Sequence, residues 1–377
     1  MRGKFAATIR QRPGTAVHVA GRQSLGTSAG GAAAPGGAGV TEHSLLRGSR
    51  LSLDRLWAQG RYWRLLRRLR PALVVVHAPE LLPLTLLWQQ LGPGRRFIYD
   101  VQENYALNIA TQGVYRGLVR RALAAGLRWV EARAARRAAG ITLAELSYAD
   151  ELPFLRRLPA GRVVVLENKY QPVPGEVLPA RPTPLPAGSE PLRLLYSGTI
   201  SVLNGVWEAI ALTKELQQRR PGGARLTIIG YCQQPALLAQ LEAAVGASNG
   251  LLTLIGGGEL VPHARVVAEM GRHHFGLLPY RPHVSTERCR PTKLFEYLAH
   301  CLPVLLPPNP RWQALAAEHQ AGLTIDFDQP AAAAAMVLGT TRAFYPQGQP
   351  EEAFWSSEGK KLWLLLDSIF NLPTLPS

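Results

Sequence analysis

The chain has 377 residues, 47% of them hydrophobic and 18% charged, which suits two globular domains with separate cores and excludes a disordered chain. No apolar run reaches the roughly 18 residues needed to span a bilayer, and Met1 to Arg12 is polar and basic, without the apolar stretch of a signal peptide. Cys232, Cys289 and Cys301 are scattered, with no metal-ligand spacing and no disulfide framework, so a cytoplasmic protein is expected.

The net charge of +16 is unevenly placed. Residues 1–150 hold 22 Lys and Arg against 8 Asp and Glu, whereas residues 151–377 hold 20 against 18. A basic N-terminal half suggests an anionic partner. A GC-rich genome accounts for arginine over lysine, but not for the asymmetry.

In chain order, Arg2 to Arg12 reads as a helix and Thr15 to Gly21 as a short strand. Ser24 to Gly39, rich in Gly, Ala and Ser, reads as a loop. Leu53 to Arg70 is a basic amphipathic helix, and Ala72 to His77 a continuous apolar run typical of a buried parallel strand. Then come a helix from Pro83 to Leu91, a strand from Arg96 to Val101, a long helix from Leu118 to Ala139, and strands at Gly140 to Ala144 and Val163 to Leu166. Pro172 to Pro191 is studded with proline and reads as a linker. A second series has strands at Leu192 to Tyr196, Arg225 to Ile229, Leu251 to Leu254, Phe275 to Leu278, Pro303 to Leu306 and Gly322 to Ile325. Strands alternating with helices predict two doubly wound parallel sheets. The domains are expected at 1–171 and 192–348, with a linker at 172–191 and a C-terminal segment, 349–377, holding an aromatic-rich helix over Glu352 to Phe370.

The most informative stretch is Arg290 to Leu306, RPTKLFEYLAHCLPVLL. Pro291 suits the first helical position. The amides of Thr292, Lys293 and Leu294 would face an anion at the helix N-terminus, and Lys293 adds a mobile positive charge there. Glu296 and His300 fall at i+3 and i+7 from Lys293, on one face, while Leu294, Leu298 and Leu302 pack inward. A phosphate-bearing ligand follows; an ordinary capped helix packed on a sheet is the plain alternative.

This run resembles the PTKLFEYxAxGxPV signature of the large retaining family of nucleotide-sugar-dependent glycosyltransferases with the GT-B fold. The resemblance implies two Rossmann-like domains facing a cleft, with a last helix crossing back to the first domain. It implies a glutamate, here Glu296, that holds the donor ribose, and backbone amides before it that hold the diphosphate. Tyr196 to Val206 resembles the family's SGTxxxxxGV loop, which adds Gly198, Thr199, Asn204 and Gly205 to the donor side. Family members carry an Arg or Lys pair near this loop; here Ser201, Val202 and Asn204 stand there, leaving Lys293, Arg288 or Arg290 as substitutes. Gly230 and Tyr231 match the strand end before the nucleobase pocket. Gly256 to Gly258 resemble the loop beyond it, with a flexible turn as the plain reading.

Tyr99 to Tyr105 resembles the DxHE motif of related enzymes, with Gln102 where the histidine would contact the donor sugar. Glutamine hydrogen-bonds but does not titrate, so it is no general base. Front-side retaining transfer needs none, since the leaving phosphate can take the proton. Gln102 and Glu103 are therefore assigned near the exchanged bond, although helix capping is the plain reading for Asp100 and Glu103. His77 to Glu80 ends another strand of the same half. Glu287 stands near where the family grips the donor sugar, nine positions before Glu296 instead of eight.

The family's first strand and its loop have no counterpart: the chain starts at the helix that follows them, which predicts a gap in the first sheet. The Arg-rich helices with Trp57, Trp63 and Trp129 can lie on anionic lipid at the inner face of a membrane; a solvated basic helix is the commoner reading. No standard nucleic-acid module is legible. The expected function is metal-independent, cofactor-free transfer of a sugar from a nucleotide diphosphate sugar to a glycan or lipid-linked acceptor. Two alternatives stay open: a catalytically silent nucleotide-sugar-binding homologue, and a sugar-nucleotide epimerase of the same fold.

Overall fold

The computed structural model describes residues 2–22, 40–46, 54–111, 117–159, 161–283 and 286–371. The loop expected at 24–39 lies outside them. The chain divides into two compact units, Met1–Gln171 with Trp355–Ser377, and Pro172–Phe354.

Unit 1 opens with a π-helical turn, Arg2–Ala6, that tightens into α1 (Ala7–Arg10). There follow β1 (Val17–Arg22), β2 (Val40–Leu46), α2 (Asp54–Leu69), β3 (Leu73–Val76), α3 (Leu82–Gln90), β4 (Arg96–Val101), α4 (Tyr105–Thr111), α5 (Gly117–Arg137), β5 (Gly140–Leu143), α6 (Tyr148–Glu151) and β6 (Val163–Val165). Strands β3, β4, β5 and β6 form one parallel sheet in that order, and β1 and β2 form a separate parallel pair. No strand among the described residues bridges β1 and β3. The apolar runs end up where a parallel sheet needs them: Phe97, Ile98, Tyr99 and Val101 are fully buried, with layers on both faces.

Strand β2 was not legible in the sequence. Val40-Thr-Glu-His-Ser-Leu-Leu46 buries only Leu45, so neither alternation nor an apolar run marks it, and pairing with β1 decides its conformation.

Unit 2 carries β7 (Leu192–Ile200), α7 (Val206–Arg219), β8 (Ala224–Cys232), α8 (Pro235–Gly246), β9 (Leu252–Gly257), α9 (His263–Met270), β10 (Phe275–Leu277), α10 (Thr292–Ala299), β11 (Val304–Leu306), α11 (Pro310–Glu318), β12 (Gly322–Thr324) and α12 (Pro330–Leu338). Its six strands are parallel in the order β12-β11-β10-β7-β8-β9. The winding reverses between β7 and β10, which opens a crevice at their C-terminal ends, where ligands of such sheets bind.

The proline-rich segment at 172–191 lies within unit 2 and is tied to it. The Glu176 carboxylate accepts from the Val173 amide and meets the buried His300 ring at 3.1 Å, and Gln349 donates to the Pro179 carbonyl. The last helix, α13 (Trp355–Phe370), packs in unit 1, where Trp355, Leu362, Leu365 and Leu366 share a core with Phe5, Ile98 and Leu166. Its buried Glu358 meets the Lys169 ammonium at 2.6 Å. No helix among the described residues is long and apolar enough to cross a membrane.

Candidate functional site

Unit 2 gathers most of the expected donor residues at the β7–β10 crevice. Gly198 and Gly230 lie side by side in register on β7 and β8, as do Thr199 and Tyr231. A Cβ on Gly230 would stand 1.7 Å from the Gly198 carbonyl oxygen, and its φ of +156° suits glycine alone. Gly205 caps α7 in the left-handed region (φ +75°), and a Cβ there would lie 1.8 Å from the Pro279 carbonyl oxygen. The loops after β7 and β10 are thus pressed together, and the Arg281 amide donates to the Leu203 carbonyl across them at 3.0 Å.

Within the first loop, Asn204 is a brace. Its Nδ2 donates to the Thr199 carbonyl at 2.8 Å, and its own amide donates to Ser201 Oγ. The amides of Gly205 and Val206 turn back to the Val202 and Ser201 carbonyls. Thr199 is exposed beside them.

Helix α10 starts one residue later than its sequence suggests. Pro291 holds an extended ψ of 140° at the capping position, and the first helical residue is Thr292. The Leu294 amide donates to the Pro291 carbonyl at 2.9 Å and its side chain is fully buried, so Leu294 presents no free donor; this corrects the expectation that its amide faces a ligand. Leu298 and Leu302 are buried as expected. Lys293 and Glu296 do share a face: Nζ meets Oε2 at 2.5 Å, with both side chains largely buried. The Lys293 stem runs beside Gly198, where a Cβ would lie 3.1 Å from its Cε. Glu296 Oε1 is 4.0 Å from Nε2 of His263, the first residue of α9. His300 leaves that face, since it is buried between the Glu296 carbonyl and Glu176.

The remaining candidates are placed as follows. Glu287 is exposed on a turn, held by its backbone to His283 and Asn309, and does not join the Lys293–Glu296 pair. Arg290 is half-buried just before Pro291, and Arg288 is exposed with its carbonyl accepting from Arg311. The cation fixed against the start of α7 is Arg281, whose Nε donates to the buried Glu208 at 2.6 Å. The sequence hid Arg281, because only the closure of the two loops brings residue 281 beside residue 208. Gly256 and Gly257 are more than a flexible turn: both have positive φ, and a Cβ on Gly256 would lie 2.4 Å from Val261.

In unit 1 the register builds a polar row across three strand ends. Asp100 on β4 pairs with Thr142 on β5, and His77 follows directly on Val76, which pairs with Tyr99. The buried Asp100 carboxylate meets His77 Nδ1 at 2.5 Å, accepts from Thr142 Oγ1 at 2.5 Å and accepts from Gln102 Nε2. Asp100 is therefore no helix cap; that role falls to Asn104, whose Oδ1 accepts from the Leu107 amide. Glu103 is exposed and takes Asn108 Nδ2 at 2.9 Å. The His77 ring stands edge-on to Phe5 at 5.4 Å, and its side chain is one-third exposed. Nearby, desolvation pushes the carboxyl of buried Glu131 above the usual range, although Tyr99 donates to it at 2.7 Å.

Two wound parallel sheets, each with its polar groups at the C-terminal strand ends, have the GT-B fold. Sucrose-phosphate synthase from Thermosynechococcus elongatus is similar over 98% of this chain and 92% of its own, with a TM-score of 0.63 and 15% identity. HepE from Anabaena, crystallised with UDP and glucose, matches 87% of this chain and 86% of its own (TM-score 0.56, 12% identity). A UDP-N-acetylglucosamine 2-epimerase homologue from Listeria monocytogenes matches 89% and 84% (TM-score 0.53, 11% identity). No protein-family model matches the sequence. Nor does any curated protein.

Proposed function

We propose that this protein is a glycosyltransferase that moves a sugar from a nucleotide diphosphate sugar to an acceptor. The observation that carries the reading is the Lys293–Glu296 pair beside Gly198 at the switch point of the six-stranded sheet. A buried carboxylate there suits the paired hydroxyls of a ribose, and the neighbouring ammonium suits a phosphate. Tyr231, next to Gly230, is placed for the base, and Arg281 and Lys293 are the cations for the diphosphate. Fixed charges that stabilise a departing diphosphate would supply the main catalytic term. On unit 1, His77, Asp100 and Gln102 offer the polar groups for the acceptor.

Thermal denaturation with UDP, GDP, ADP or TDP, repeated on Glu296→Ala, tests the donor site. One nucleotide should raise the melting temperature of the native chain and not that of the variant. Stabilisation by none of the four would remove the transferase reading.

One observation favours a second reading. An epimerase needs acid–base groups, and the His77–Asp100 pair places an imidazole held by a buried carboxylate at the strand ends. Conversion of a supplied nucleotide sugar into its epimer, with no nucleotide released, would select that reading.

A further inference from the structure

Helix α3 packs between α2 and α5. Tyr62 of α2 hydrogen-bonds Thr85 of α3 at 2.8 Å, and Leu82 and Leu86 of α3 share a core with Ala134 and Ala135 of α5. The three helices form one layer over the sheet of unit 1. Their inward faces account for their buried residues, yet the outward faces are not the polar surface an ordinary helix layer presents. On α5, Leu118 is 80% exposed and Trp129 64%, and Val119 and Leu123 are exposed beside them. Leu118, Ala122, Ala125 and Trp129 recur at helical spacing, which makes one continuous apolar stripe. Leu56 and Trp57 on α2 are about as open, and Leu87 on α3 and Leu91 just past it are exposed as well.

The same layer is strongly basic. Helix α2 carries Arg55, Arg61, Arg64, Arg67 and Arg68 against Asp54 alone, and Asp54 is paired with Arg61 at 2.6 Å. Helix α5 carries Arg120, Arg121, Arg128, Arg133, Arg136 and Arg137 against Glu131 alone, which is buried and bonded to Tyr99. Glu80, just before α3, is held by Arg55 at 3.2 Å.

We propose that the outward face of α2, α3 and α5 docks on an anionic lipid bilayer. Leucine and tryptophan side chains would enter the interface while arginines meet lipid phosphates. A second copy of the chain is a poor occupant, because two such faces would bring like charges together. A nucleic acid would match the arginines and leave Leu118, Val119 and Leu123 without a partner. The proposal does not depend on the donor site, and it would place an acceptor bound to unit 1 close to a lipid surface.

The test is co-sedimentation of the full chain with phosphatidylcholine vesicles, with and without phosphatidylglycerol. Binding should require phosphatidylglycerol and weaken as salt is raised. Leu118→Ser/Trp129→Gln and Arg120→Glu/Arg121→Glu should each weaken it at least about tenfold, with unchanged melting curves for the first pair, whose side chains are exposed. Absence of binding to the mixed vesicles would overturn the proposal. So would a concentration-dependent dimer abolished by Leu118→Ser/Trp129→Gln, or duplex DNA binding with vesicle binding indifferent to Leu118 and Trp129.

Discussion

His77 Nδ1 lies 2.5 Å from Asp100 Oδ2, and Asp100 is almost wholly buried. With Thr142 and Gln102 also on the carboxylate, the imidazole is held in one orientation, and Nε2 is left as the ring atom able to act outward. Nothing in the linear sequence joins residues 77, 100 and 142; the β3–β4–β5 register does. His77→Ala is expected to lower kcat about tenfold, the range for loss of one hydrogen bond to a bound acceptor, while the nucleotide-dependent rise in melting temperature persists. An equal kcat in the variant would reduce the pair to a structural contact.

Gly230 gives a prediction about the architecture of the crevice at the β7–β8 strand ends. Any side chain there meets the Gly198 carbonyl, which is backbone and cannot swing aside. Gly230→Ala should cost about 3 kcal/mol or more by forced overpacking, seen as a lower denaturant midpoint. Gly258→Ala is the control, since its Cβ would meet only Leu238 at 3.6 Å. If both variants unfold alike, the close approach of β7 and β8 is not what fixes glycine at 230.

The sheets were legible in the sequence because their strands are apolar runs between turn residues, as in Arg96–Val101 and Val304–Leu306. Such runs report burial, which is local in sequence. The Lys293–Glu296 contact on α10 was legible for the same reason: the two residues are one turn apart, so spacing alone predicts it. What remained hidden depends on long-range register. Asp100 looked like a cap because it stands near a strand end shortly before a helix; its partners come from the ends of two other strands. Glu287 looked like a ligand because of its distance from Glu296 along the chain, yet the turn that carries it is fastened to Asn309 and leaves it in solvent.

Glu358 ties α13 into unit 1. Its carboxylate meets Lys169, accepts from the Glu167 amide at 3.3 Å and takes Lys361 from the following turn. Glu358→Ala strands the buried Lys169 ammonium without its carboxylate and should destabilise unit 1 by about 3–5 kcal/mol. Replacing both partners, Lys169→Met with Glu358→Leu, should recover most of that loss, because the cost lies in the uncompensated charge. Chemical denaturation of the three variants distinguishes this from a helix that merely rests on the surface, for which all would match the native chain.

His274 gives unit 2 a pH dependence with a definite sign. Desolvation, reinforced by Arg193, His273 and Arg220, lowers its pKa from 6.5 to about 4. The geometry agrees, since Nδ1 accepts the Arg193 amide at 2.9 Å and cannot also carry a proton. The unfolded chain therefore takes up a proton between pH 6.5 and about 4 that the folded chain refuses. Stability from this group is full above pH 6.5 and is lost as pH falls through that window. His273, lowered chiefly by burial, acts in the same direction. Calorimetric melting of the native chain and His274→Asn at pH 7 and pH 4.5 provides the comparison. The native chain should lose more melting temperature on acidification than the variant does; parallel losses would show that His274 titrates as freely in the folded chain as in the unfolded one.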